Sequence, residues 1–154
     1  MLLELPPWAV VVLNCAGLPL LQLALAWLFN RMPVSWFGEA CETARKKPPA
    51  WLLGMTGAWK RWMPDGASWF AGGFAKARIG SRDPAYLRRF LLETRRGELC
   101  HWGFLFLCPL FFLWNPPWAC WVIGLYATVA NVPCIILQRV NRRRLAAVLS
   151  RVRN

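Results

Sequence analysis

Hydrophobic and polar positions fall in long blocks along this chain rather than alternating residue by residue. Trp8 to Phe29 runs apolar for 22 residues, broken only by Asn14 and Gln22. As a helix rising about 1.5 Å per residue, that stretch crosses a hydrocarbon layer of about 30 Å. Trp8 and Trp27 stand near its ends as interface anchors. Asn14 and Gln22, eight apart, share a face suited to packing on other helices, and Pro19 is a kink point. A polar, basic region follows from Arg31 to Asp83, with turns at Lys47-Pro48-Pro49 and Met63-Pro64-Asp65-Gly66 that keep its helices short. Asp83-Pro84 then reads as a helix start, an acidic cap followed by proline at the first helical position. From there a helical pattern continues into the uncharged run GFLFLCPLFFLW. Asn115-Pro116-Pro117 makes an uncharged turn, and Trp118 to Leu137 is a second apolar run of 20 residues, interrupted by Asn131 and Pro133.

The blocks predict an all-α integral membrane protein of one domain, residues 1–154, with about three transmembrane helices. These are an N-terminal span over 8–29 and a C-terminal helical hairpin formed by 84–114, which enters the second span, and 118–137. Short interfacial helices are expected in the Trp- and Lys/Arg-rich region 31–83, and 138–154 is a basic amphipathic tail. His101 to Trp114 is only 14 residues, so the hairpin tip is expected to dip shallowly into the far interface.

Composition narrows the class. A chain that is 57% hydrophobic is too apolar for an ordinary soluble domain. Its net charge of +12 invites a nucleic-acid reading, but 13 of the 19 Lys and Arg lie between Arg31 and Arg96, and the other 6 between Arg139 and Arg153. Basic blocks separated by apolar runs are the signature of membrane topology and attraction to lipid headgroups, and they argue against nucleic acid. The positive-inside rule puts the central region and the C-terminus in the cytoplasm and the N-terminus outside, in a multi-pass arrangement in the cell membrane. Met1 to Pro7 has no basic residue and so lacks the n-region of a secretory signal. Of the six cysteines only Cys41 lies in a polar segment. No CxxC pair occurs, and a single histidine leaves too few ligands for zinc, so no metal site is expected. Trp36, Trp51, Trp59, Trp62 and Trp69, interleaved with basic residues, describe a segment in contact with the headgroup region. An ordinary cytoplasmic loop stays open as the alternative, as does the choice between an interfacial and a re-entrant course for 51–63.

The chemistry concentrates in ETRRGELCHW, Glu93 to Trp102, which holds two carboxylates, two arginines and the one histidine directly before the uncharged run. Ionisable groups at such a boundary are costly unless paired or used. Glu98 and His101, three apart, project from one side of the helix, with Thr94 a turn further back. In an antiparallel hairpin centred on Pro116, His101 falls level with Asn131 and Glu93 level with Arg139. Asn131, Gln138 and Arg142 share a face by their spacing of seven and four. The expected cluster is therefore Glu93, Glu98, His101, Asn131, Gln138, Arg139 and Arg142. It has the parts for acyl transfer: a histidine base, a carboxylate that orients it or holds its proton, and amide and guanidinium donors for a sugar or an oxyanion. The same residues also suit plainer roles, as surface ion pairs worth well under about 1 kcal/mol or as amides that join helices. No serine nucleophile motif and no phosphate loop is present, which favours direct base catalysis. Only the neighbouring His101 draws attention to Cys100 as a thioester nucleophile.

The order ETRRGELCHW, apolar hairpin, YATVANVPCIILQRVNRRRL resembles the glycosyl-4,4'-diaponeurosporenoate acyltransferase family. Arg31-Met32-Pro33 with Trp36-Phe37, the WKRWMPDG stretch, and Gly73-Phe74 with Lys76 extend the likeness over most of the chain. The resemblance implies transfer of a fatty acyl group to a sugar hydroxyl of a glycolipid, a glycosylated carotenoid or a related lipid. It implies no cofactor beyond an acyl-CoA or acyl carrier protein thioester as co-substrate, whose acidic groups suit Lys60, Arg61, Lys76, Arg139 and Arg142. Trp62, Asp65, Arg96, Trp102 and Asn141, on matching motif positions, join them as candidate substrate-binding residues. Chemistry assigns His101 as the base, with Glu98, Glu93 and Asn131 beside it. Two rivals stand against this reading. One is a non-catalytic membrane scaffold working through its basic face, and the other is a different lipid-modifying enzyme such as a methyltransferase.

Overall fold

The computed structural model describes residues 2–38, 49, 54, 56, 74, 80, 81 and 83–152, and every regular element among them is helical. Lys60, Trp62, Asp65 and Lys76, and the course of 51–63, lie outside the described residues.

Helix α1 spans Pro7–Arg31 and opens with proline at its first turn, where a missing N–H loses nothing. It stops at Met32, whose extended backbone (φ −68°, ψ 138°) is the conformation that the following Pro33 imposes. Pro19 lies inside α1 without ending it. A single 3₁₀ turn, Val34–Phe37, follows. Helix α2, Pro84–Leu107, is capped as its sequence predicts: the Asp83 carboxylate accepts from the Tyr86 amide at 3.1 Å. Its last turn tightens into a 3₁₀ segment, Cys108–Leu113. After the turn at Asn115-Pro116, α3 runs unbroken from Pro117 to Val152.

The length of α3 departs from the expectation of a span followed by a separate tail. Pro133 is absorbed within the helix, and no Gly or Pro lies beyond it to stop the chain. Leu145 and Leu149 also keep a packing face toward α2, where they bury against Leu87, Phe90 and Leu91.

The three helices run antiparallel in succession, as their contacts show. The Arg96 side chain bonds Asn30 at the end of α1, Gly103 faces Leu25 and Phe29, and Asn115 meets Asn14. At Gly17 a Cβ would come within 3.0 Å of the Phe111 ring, so glycine sets the close approach of α1 to the 3₁₀ segment. Two apolar cores result. One joins all three helices through Leu18, Leu25, Cys100, Phe104, Cys108, Phe111, Ile123 and Ala127. The other, between α2 and α3, is built on Leu87, Phe90, Leu91, Leu145 and Leu149 with Phe74 and Tyr86 against it. On α2, the helix that serves both, Glu98 lies between the two in sequence and His101 follows Cys100 at the edge of the first.

Helices α1 and α3 are long and apolar enough to cross a membrane. A core helix of a soluble protein would be mostly buried, whereas only 11% of α1's most apolar window and 22% of α3's are buried within this chain. Large side chains such as Phe106 (83% exposed) and Trp121 (81%) face outward. Apolar surface on that scale calls for an apolar surrounding.

Candidate active site

Helix α2 presents its polar residues on two different faces. Residues five apart on an α-helix are turned by about 140°, so Glu93 and Glu98 cannot share one. Glu98 and His101 meet α3, whereas Glu93 and Arg96 form an ion pair at 2.6 Å, with Arg96 also donating to Asn30 of α1 at 3.0 Å. Glu93 is 1% exposed, and its Oε2 meets Arg96 by charge at close range without hydrogen-bond alignment. Glu93 therefore stands apart from the cluster in which it was expected, paired with Arg96 on the other face of α2. The two arginines of α3 that were expected in the cluster both turn to Glu98.

Glu98 receives Arg139 Nε on one oxygen at 2.6 Å and Arg142 Nη2 on the other at 2.5 Å. Side-chain direction explains the shift from the expected register. Helical side chains lean toward the N-terminus of their own helix. In an antiparallel pair the long Arg139 side chain therefore leans toward the hairpin tip while Glu98 leans away from it, and the two meet. Burial works to raise the Glu98 pKa, but the hydrogen bonds and charges of Arg139 and Arg142 outweigh it and hold the carboxyl below its ordinary 4.5. Glu98 is thus an ionised anchor for two guanidinium groups. Arg139 is half exposed along its length and lies over the Trp102 ring, 6.0 Å from its centroid. Such a cation over an aromatic face is further stabilised.

His101 meets Asn131 as the level of the two helices predicted, with Nδ1 and Asn131 Oδ1 2.8 Å apart. The Asn131 amide is itself oriented, because its Nδ2 donates to the Ala127 carbonyl at 2.9 Å. A carbonyl accepts only, so the nitrogen of the amide must face Ala127 and the oxygen must face the histidine. Neutral His101 therefore carries its hydrogen on Nδ1 and its basic lone pair on Nε2. Asn131 thus bridges the Ala127 carbonyl and the imidazole, and its Nδ2 keeps a second N–H for the expected role toward sugar or oxyanion. Gln138 and Arg142 follow on α3, each with a buried atom that has no hydrogen-bond partner among the described residues: Gln138 Oε1 and Arg142 Nη1. Asn141 is buried, and Thr94 turns its hydroxyl back to the Leu91 carbonyl at 2.6 Å.

The chain matches the family model for glycosyl-4,4'-diaponeurosporenoate acyltransferase over residues 33–151. The chain belongs to this family. The match takes in the whole α2–α3 hairpin up to Arg151 and every site residue on it, and leaves all of α1 outside. Proteins named glycosyl-4,4'-diaponeurosporenoate acyltransferase from Staphylococcus aureus are similar to it. That of strain USA300 is 40% identical over 63 residues, 41% of this chain and 38% of the relative. That of strain MRSA252 is 39% identical over 64 residues, with the same shares covered. The alignment thus spans well under half the length of these relatives. No solved structure matches the chain.

One polar group at the far end of the hairpin escaped the sequence reading. Asn14 and Asn115 exchange hydrogen bonds at 2.8 and 2.9 Å, the Trp114 indole donates to Asn14 at 3.1 Å, and Asn115 also donates to the Phe111 carbonyl at 2.7 Å. The signal was present in the two asparagines, each set in apolar sequence and each needing a partner.

Proposed function

We propose that this protein is a membrane acyltransferase that moves a fatty acyl group from a thioester to a sugar hydroxyl of a glycosylated lipid. The observation that carries the proposal is the His101–Asn131 pair. It leaves the lone pair of an oriented imidazole on Nε2, at the level where the charged half of α2 gives way to its apolar half. His101 takes the proton of the sugar hydroxyl as that oxygen attacks the thioester carbonyl. The C–S bond then breaks, the ester C–O bond is kept, and the proton passes from His101 to the departing thiolate. Asn131 positions the base, and Glu98 positions Arg139 and Arg142, whose field favours the negative charge developing on the carbonyl oxygen. The names of the family and of its relatives support the acyl transfer and point to a glycosylated carotenoid as acceptor. The basic residues of α3 suit the phosphate groups of acyl-CoA or an acidic carrier protein as donor.

The same reading includes three crossings, with the N-terminus outside and the site at the cytoplasmic side. The 3₁₀ segment supports it. At about 2.0 Å rise per residue it lengthens the short apolar run beyond what an α-helix would give. The contacts of Asn30 with Arg96 and of Asn14 with Asn115 keep that run alongside α1.

Mass spectrometry of lipid extracts tests the function in a host that makes the glycolipid and expresses either the wild type or His101→Ala. A glycolipid heavier by one fatty acyl group is expected with the wild type only. The same product from both would discard His101 as the base, and its absence from both would discard acyl transfer.

A further inference from the structure

Two polar side chains of α3 have incomplete bonding. Gln138 Oε1 and Arg142 Nη1 are both buried and have no hydrogen-bond partner among the described residues. Native proteins rarely leave such atoms unsatisfied, and those that do have a reason. Four residues apart, the two side chains rise one above the other on one helix face. Glu98 holds the Arg142 guanidinium by Nη2, which fixes the fork and commits that nitrogen, so the orphaned atom is the other one.

The two orphaned atoms have opposite needs. Gln138 Oε1 accepts and Arg142 Nη1 donates, so a single group that bridges them has to donate and accept through one small centre. A hydroxyl does so. A carbonyl or an oxyanion would satisfy Arg142 and oppose the Gln138 oxygen, and an ammonium would satisfy Gln138 and be repelled by Arg142. Gln138 follows Asn131 by two turns, about 10 Å of rise, and its side chain leans back toward it. A ring bearing several hydroxyls bridges that interval, and a lone alcohol does not. Resting on the acyl-transfer reading above, we infer that Gln138 and Arg142 form a subsite for a second hydroxyl of the acceptor sugar, one that does not react. This subsite makes the enzyme selective for a sugar over a simple alcohol and fixes which hydroxyl reaches His101.

The test uses membranes that carry the full chain, an acyl thioester, and a panel of monodeoxy glycosides on one long-chain aglycone. For the wild type, one deoxy glycoside should fall below its parent in kcat/KM by about tenfold or more. A buried polar pair left unfilled discriminates on that order. In Gln138→Met the same deoxy compound and the parent should be acylated alike, the loss on the parent appearing mainly in KM. Because the readout is a ratio of two substrates, it does not depend on how much folded protein the membranes hold. Gln138→Leu serves as a second apolar variant should Gln138→Met fail to accumulate. An unchanged selectivity ratio in the variants overturns the subsite. An equal loss on every glycoside also overturns it, since a structural or oxyanion role would produce that pattern. Both of these outcomes leave acyl transfer standing. Failure of the wild type to acylate any glycoside overturns the acyl-transfer reading and the subsite with it.

Discussion

Two polar groups sit in apolar surroundings, one at the tip of the α2–α3 hairpin and one near its middle, and they are finished differently. At the tip, Asn14 and Asn115 give and receive hydrogen bonds between their amides, and Trp114 and the Phe111 carbonyl fill out the set. That group is complete within the chain, uncharged, and ties α1 to the hairpin. Near the middle of the hairpin, His101, Asn131, Glu98, Gln138, Arg139 and Arg142 form a second group, charged and with two buried atoms that have no hydrogen-bond partner among the described residues. A closed network of amides specifies packing, whereas an open one with ions and a basic nitrogen is equipped to act on something else. The difference separates structure from chemistry inside one small fold.

The largest effect should come from the open group. His101→Ala removes the proposed base and should lower kcat by about 10²- to 10⁴-fold. The unfolding midpoint in detergent should fall no further than that of Asn115→Ala, because each substitution takes one partner from an asparagine set in apolar surroundings. Full activity in His101→Ala would falsify the base assignment. Asn131→Leu sharpens the point, since it keeps the base and loses only its orientation. It should reduce kcat by less than His101→Ala, and an equal or greater loss would show that Asn131 does more than hold the ring.

Next in size is Glu98→Gln. It removes the charge that holds two arginines and leaves the Arg142 guanidinium, 17% exposed, without its counterion. Breaking a largely buried pair on one side is expensive, though half-exposed Arg139 moderates the effect. The expected loss is about 2 kcal/mol of stability together with a fall in activity, read from thermal unfolding and acyl transfer on the same preparation. A variant that is as stable as the wild type would mean that Glu98 carries no structural load.

Much of this was legible in the sequence, because the apolar blocks, the Asp83-Pro84 start and the depth of His101 against Asn131 all follow from helix geometry. Glu93 was not legible. The hairpin register aligns heights but says nothing of azimuth, and a turn of about 140° sends Glu93 toward α1. The pairing of Glu98 with Arg139 and Arg142 was hidden for a related reason, since the lean of long side chains adds several residues to the apparent register. The unbroken course of α3 was obscured by the change from apolar to basic residues after Leu137, which marks a change of surroundings and not the end of the helix. Asn115 lay in a stretch that reads as a simple turn, and only the third dimension brings it to Asn14.

The closed group should respond in stability alone. Asn115→Ala leaves Asn14 and the Trp114 indole short of a partner and should cost about 1–2 kcal/mol, with KM for the glycolipid unchanged. The double variant Asn14→Leu/Asn115→Leu, which removes both polar partners, should recover part of that loss. A changed KM in Asn115→Ala would erase the distinction between the two groups.

The smallest expected effect is a pH dependence that only the open group can have. Glu98 is held below its ordinary pKa of 4.5 in the fold. Its contribution to stability is therefore present in full above that value and is lost as the pH falls through the lower, folded value. The stability gap between the wild type and Glu98→Gln should accordingly be constant from pH 7 down to about 5 and close as the solution becomes more acid. The gap between the wild type and Asn115→Ala contains no titrating group and should stay level over the same range. If both gaps close together, the acid is unfolding the hairpin as a whole, and the charge on Glu98 is not what distinguishes its middle from its tip.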